Sequence, residues 1–259
     1  METYSTTRDI LTHAAVPMPT RTYKPVSHTQ LMDLTLESIH SAGFTLDKEM
    51  YTSARDGKVA NGKFTIKNVA DKEMQLQIGW QNSYDKSLSL KFAIGTKIFI
   101  CSNGCVSGDY GAFKKKHQGE IQTFTPTAIT DYIKNAGEAF TRMQEEREFM
   151  KSIEIDRKTQ AELIGRMIVE KQFIESTQLN IIRGELDKPT HAYGAPTSLW
   201  ELYQFTTFSM KEVHPSLWME NHMDAHSFFV EQSGMHKFPT EIFTPATAEV
   251  IPQYELFQV

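Results

Sequence analysis

A chain of 259 residues, 40% of them apolar, is long enough to bury at least one sizeable core, as one large domain or two smaller ones. Its formal charge of −5, from 27 basic and 32 acidic side chains, excludes the molecule as a whole from acting as a polycation for nucleic acid, so any anion-binding surface is local. Only two cysteines occur, the N-terminus lacks the order of a secretion signal, and no apolar run approaches the roughly 20 residues that span a bilayer; these points exclude membrane insertion and indicate the cytoplasm.

Residues 1–26, with three prolines and no sustained period, read as an N-terminal arm. "SHTQLMDLTLESIHSAGF" then predicts a helix, capped by Ser27 with Gln30 at the capping-box position and stopped at Gly43. Leu31, Leu34, Leu36 and Ile39 mark its apolar side. From Gly62 the period changes to two. "KFTIKNV", "MQLQIGW" and "SLSLKFAIG" place Phe64 and Ile66, then Met74, Leu76, Ile78 and Trp80, then Leu88, Leu90, Phe92 and Ile94, on single strand faces. "TKIFIC" follows as a further strand after a turn at Gly95. These segments predict an antiparallel sheet of about four to five strands with one wet face.

After Pro126 the pattern becomes helical. "PTAITDYIKNAGEAFTRMQEEREFMKSI" predicts one long helix with a proline at its start, followed by helices over 157–171, capped by Asp156, and 177–186, capped by Ser176. "THAYGAPT" is a loop, "SLWELYQFTTFSMKEV" another helix, and the proline-bearing stretch to Val259 an extended tail. The fold class is therefore α+β: an arm (1–26), a helix plus sheet (27–126) and a helical region with a tail (127–259), the last two forming one unit.

Four constellations bear on chemistry. In "NSYDKS", Asn82, Ser83, Asp85 and Ser87 are short polar side chains that close turns between strands, and without a nearby histidine they make no nucleophile system. In "CSNGCVSG", Cys101 continues a strand and Asn103-Gly104 is a hairpin dipeptide, so one pair of thiols beside a turn falls short of a four-ligand zinc site. His222 and His226 in "ENHMDAHSFF" share one helical face with Asp224 between them, but the glutamate of a zinc-protease motif is missing; a metal site there would need Glu220, His236 or another distant ligand.

The fourth is basic. Arg55 to Glu120 carries eleven Lys/Arg against six Asp/Glu, whereas Glu185 to Val259 carries three against ten. Lys91, Lys97, Lys114, Lys115, Lys116 and His117, interleaved with Tyr110 and Phe113, have the composition of a single-strand binder, with cations for phosphate and rings for bases. The alternative is a wet sheet face whose lysines block edge pairing. No phosphate-cradling loop is present, so nucleotide hydrolysis is not expected, and no cofactor or metal is implied.

The stretch "NSYDKSLSLKFAIGTKIFICSNGCVSGD", followed by "KKKHQGEI", resembles the phage/plasmid-like domain of unknown function 932. The matching positions are Asn82, Ser83, Tyr84, Asp85, Ser87, Cys101, Ser102, Asn103, Gly108 and His117, and the likeness extends over most of residues 25–230. The resemblance implies a mobile-element gene acting in the cytoplasm of a bacterial host, and supplies no catalytic residues. Two functions are expected to compete: a non-enzymatic accessory protein that binds single-stranded nucleic acid through the basic sheet region, and a protein-binding inhibitor of host defence or virion component that contacts a host protein through its acidic tail. Self-association is compatible with the long amphipathic helix.

Overall fold

The period-two segments fold as one antiparallel sheet, and most of the helices pack into the core on one of its faces. The computed structural model describes residues 4–67, 70–98, 111–214 and 217–235, and residues 104–106 by their backbone. Strands β1 (Tyr4–Thr6), β2 (Leu46–Ala54), β3 (Val59–Ile66), β4 (Met74–Ser83), β5 (Leu90–Ile98) and β6 (Gly104–Val106) lie side by side in chain order. β6 pairs with Gly95 to Lys97, and β7 (Ala112–Lys115) takes up the same edge of β5 from Leu90 to Ala93. The helices are α1 (Arg8–Thr12), α2 (His28–Ser41), α3 (Ile121–Lys134), α4 (Ala136–Ser152), α5 (Arg157–Val169), α6 (Ser176–Asp187), α7 (Leu199–Ser209) and α8 (Trp218–Ser233). The class is α+β.

Register decides which residues share a face. Tyr51, Gly62, Trp80, Phe92 and Phe113 stand in one row across β2, β3, β4, β5 and β7, and Phe64, Ile78 and Ile94 in the next. This inner face is apolar and buried with Leu31, Met32 and Ile39 of α2, Ala128 and Ile129 of α3, and Ala139 and Met143 of α4 in one continuous core. The outer face carries Lys63, Gly79, Ala93 and Ala112 in one row, and Thr52, Asn61, Gln81, Lys91 and Lys114 in another. The alternation of strand side chains thus separates core from chemistry.

Where local signals are strong, the helix boundaries follow them. Ser27 Oγ accepts the Gln30 N–H at 3.0 Å to start α2, and Asp156 Oδ1 accepts the Thr159 N–H at 2.8 Å to start α5. α6 begins one residue before its expected range, capped by Glu175 in a reciprocal box with Gln178 rather than by Ser176. Other expectations are corrected. β5 runs through Gly95, which pairs with both Gln77 and Val106, so no turn divides "SLSLKFAIG" from "TKIF" within the described residues. The long helix is two: α3 starts at Ile121, carries Pro126 inside it, and ends at Asn135, whose backbone N–H reaches back to Asp131 and Tyr132 before α4 sets off. The expected arm holds a strand and a short helix. β2 and β7 were hidden in charged text, "LDKEMYTSA" and "AFKK", so the sheet has seven described strands rather than four or five. Cys101, Asn103, Tyr110 and the tail from His236 lie outside the described residues.

Gly62 is a packing requirement. The Trp80 indole, 1% exposed, lies across it, and a Cβ at this position would sit 2.5 Å from Trp80 Cε2. Gly62→Ala is expected to cost about 1–3 kcal/mol in urea unfolding, because ring and strand must part. Gly79→Ala, whose Cβ would meet nothing nearer than the Gly62 carbonyl at 3.6 Å, is expected to cost less. Equal losses at the two positions would show that the indole does not impose the glycine.

Candidate binding surface on the outer face of the sheet

The motif at the end of β4 builds a buried joint between sheet and α2. Asn82 Nδ2 donates to the Val26 carbonyl at 2.8 Å and lies 3.1 Å from His28 Nδ1. His28 Nε2 lies 3.0 Å from the Gly57 carbonyl in the β2–β3 turn, and the His28 N–H donates to Tyr84 Oη at 2.7 Å. The imidazole stacks on the Tyr84 ring, centroids 3.9 Å apart. Ser83 Oγ donates to the Leu88 carbonyl and accepts the Leu88 N–H, both at 3.0 Å, while Asp85 accepts from Ser87 and from Arg55 at 2.6 Å. These side chains close a connection and lock it to a helix start. Burial drives His28 down to about 4, against the opposing pull of its Gly57 contact.

The basic stretch is divided by the strand it forms. Alternation along β7 sends Lys114 to the outer face and Phe113 and Lys115 to the inner one. Phe113 packs edge-on against Phe124 and alongside Phe92 and Tyr132. The Lys115 ammonium lies 4.4 Å from the Phe124 ring centroid. Lys116 is exposed, and Lys97 is half-buried on the outer face. His117 is 5% exposed, 5.6 Å from the Tyr23 ring, with its pKa lowered chiefly by burial, so it belongs to the interior rather than to a phosphate-facing strip.

Glu220 at the start of α8 takes up two of the expected cations. Its Oε1 lies 3.0 Å from Lys91 Nζ and 2.9 Å from Lys114 Nζ. Lys91 is 5% exposed. Burial alone would raise the Glu220 carboxyl, but the two lysines outweigh it and hold the pKa below the ordinary glutamate value. This single carboxylate engages both ammonium groups and offsets one of their two charges, and Lys91, almost wholly buried, is held in an ion pair inside the protein.

The same helix start encloses a cavity of about 680 Å³ over β2, β3 and β4. Its floor includes Thr52, Asn61 and Gln81, linked by Asn61 Nδ2 to Thr52 Oγ1 at 3.0 Å and by Gln81 Nε2 to Asn61 Oδ1 at 2.8 Å. The small row Gly79, Ala93 and Ala112 admits Met219 and Trp218 against the sheet. Four cations line the cavity: Arg8, Lys48, Lys63 and Lys211. Arg8 is engaged by Asp33 and Glu49. Lys63 Nζ sits 3.8 Å from the Trp218 ring centroid, and burial brings its pKa down to about 8. The polar phase of "KFTIK" marks Lys63 as a wet-face residue, but nothing in the local sequence brings Lys48, Lys211 and Trp218 to it.

His222 and His226 diverge despite their spacing. The His222 ring lies 4.4 Å from the Trp218 ring, whereas His226 Nδ1 meets Tyr203 Oη at 3.2 Å and Nε2 lies 3.3 Å from Glu146 Oε2. Among the described residues no group of three His, Cys, Asp or Glu side chains is placed to hold a metal ion, and no helix is long and apolar enough to cross a membrane.

The family model described as "Domain of unknown function (DUF932)" matches residues 17–225 of the chain. No curated protein and no solved structure matches the chain.

The His28 joint carries a pH dependence of definite sign. A histidine whose folded pKa is depressed lends stability that is complete above its unfolded value of 6.5 and is lost as pH falls toward the folded value of about 4. Acidification from pH 7 to 4 is expected to remove about 3 kcal/mol through this group, read by urea unfolding at each pH. In an NMR titration its ring should stay neutral at pH 5.5; a midpoint near 6.5 would show that the joint is open to water.

Proposed function

The chain belongs to the DUF932 family, and we propose for it a non-enzymatic accessory role in a phage or plasmid, binding single-stranded nucleic acid on the outer face of its sheet. The observation that supports this reading is the cavity beside α8, where Lys48, Lys63 and Lys211 face a polar ladder and the Trp218 ring. Cations neutralise phosphates, and an aromatic face stacks any base without reading its identity. Asn61 and Gln81 add amide donors and acceptors for sugar or base edges. This reading places the seat of binding at β2 and β3 rather than at the lysine run of β7, because Glu220 already engages Lys91 and Lys114 within the protein.

Fluorescence anisotropy with a labelled single-stranded oligonucleotide tests the proposal. Three participating cations imply a slope of log K against log salt of about −2. Lys48→Glu combined with Lys211→Glu is expected to weaken binding at least about tenfold, while Lys116→Glu on the distant strand end changes it less than about twofold. Absence of binding at low salt, or equal loss in all these variants, overturns the assignment.

A further inference from the structure

Lys63 differs from Lys91 and Lys114, which meet Glu220. Among the described residues it makes no ion pair and no hydrogen bond; its one close partner is the Trp218 ring. It is half-buried between that ring and the strand row of Gly79 and Ala93, and it faces an open volume of about 680 Å³, within the range of small-molecule sites. An ammonium group held from water without a counterion is costly, and loss of its proton removes the cost. Lys63 accordingly titrates near 8, which leaves roughly a tenth of it as free amine at neutral pH.

We propose that Lys63 is a nucleophilic amine that captures small anionic aldehydes or ketones as imines within this cavity. The nitrogen lone pair attacks the carbonyl carbon, the C=O pair moves to oxygen, and protons pass from nitrogen to that oxygen, which leaves as water while C=N forms. Amine and carbonyl give imine and water, so the step needs no oxidant or reductant. The Trp218 ring offers a stacking face for a planar ligand, and Lys48 and Lys211 supply charge for its carboxylate or phosphate. This goes beyond nucleic-acid binding and holds whether or not an oligonucleotide uses the same cavity.

Pyridoxal phosphate, which combines an aldehyde, a ring and a phosphate, is the probe. The full chain is treated with one equivalent at pH 8, reduced with borohydride, digested and mapped by mass spectrometry. Lys63 is expected to carry at least tenfold more label than exposed Lys48, Lys116 or Lys134, with yield rising between pH 7 and 9. Lys63→Arg should lose that label while keeping the wild-type near-ultraviolet circular dichroism. Label spread over the exposed lysines, with Lys63 at or below their level in the wild-type chain, overturns the proposal, and the wild-type map decides even if the variant fails to fold.

Discussion

One carboxylate organises the outer face. Glu220 reaches from the first turn of α8 to Lys91 and Lys114 on two neighbouring strands, and because Lys91 is almost wholly buried its charge needs that partner. The pairing holds the start of α8 against the sheet, where Met219 fits the row of small residues and Trp218 reaches Lys63. Ring and cation thus meet beside the cavity, next to the point where this pairing joins helix and sheet. Glu220 thereby engages two lysines of the basic stretch, Lys91 and Lys114, within the protein itself.

The family motif has a different character. Asn82, Ser83, Tyr84 and Asp85 spend their polar groups on Val26, Leu88, His28, Ser87 and Arg55, joining the end of β4 to the start of α2 and the β2–β3 turn. A buried polar cluster bonded in this way specifies a connection, since each of these partners left alone would carry an unmet hydrogen bond. The prominent motif and the open cavity therefore lie in different parts of the molecule, with the motif's Asn82 facing the helices and the cavity facing away from them.

Much of the scaffold is legible in the residue order. The caps at Ser27 and Asp156, the alternation through Phe64, Ile78 and Ile94, and the helical second half all follow from local stereochemistry. The misreadings have local causes too. β2 mixes charge into its alternation, Gly95 serves as an ordinary strand residue, and "AFKK" presents its composition more loudly than its period. The site was less legible: Lys97 was placed on the sheet, but the run from Lys114 to Lys116 gave no sign that pleating would divide it.

The sequence by itself determined the α+β class, the starts of α2 and α5 and the existence of a polar sheet face, because capping and period are properties of neighbours along the chain. Tertiary structure alone decided which cations are spent and which face a cavity. Glu220 is 129 residues from Lys91, and Trp218 is 155 from Lys63, so their meetings depend on how α8 crosses the sheet and not on any pattern within a few residues of either.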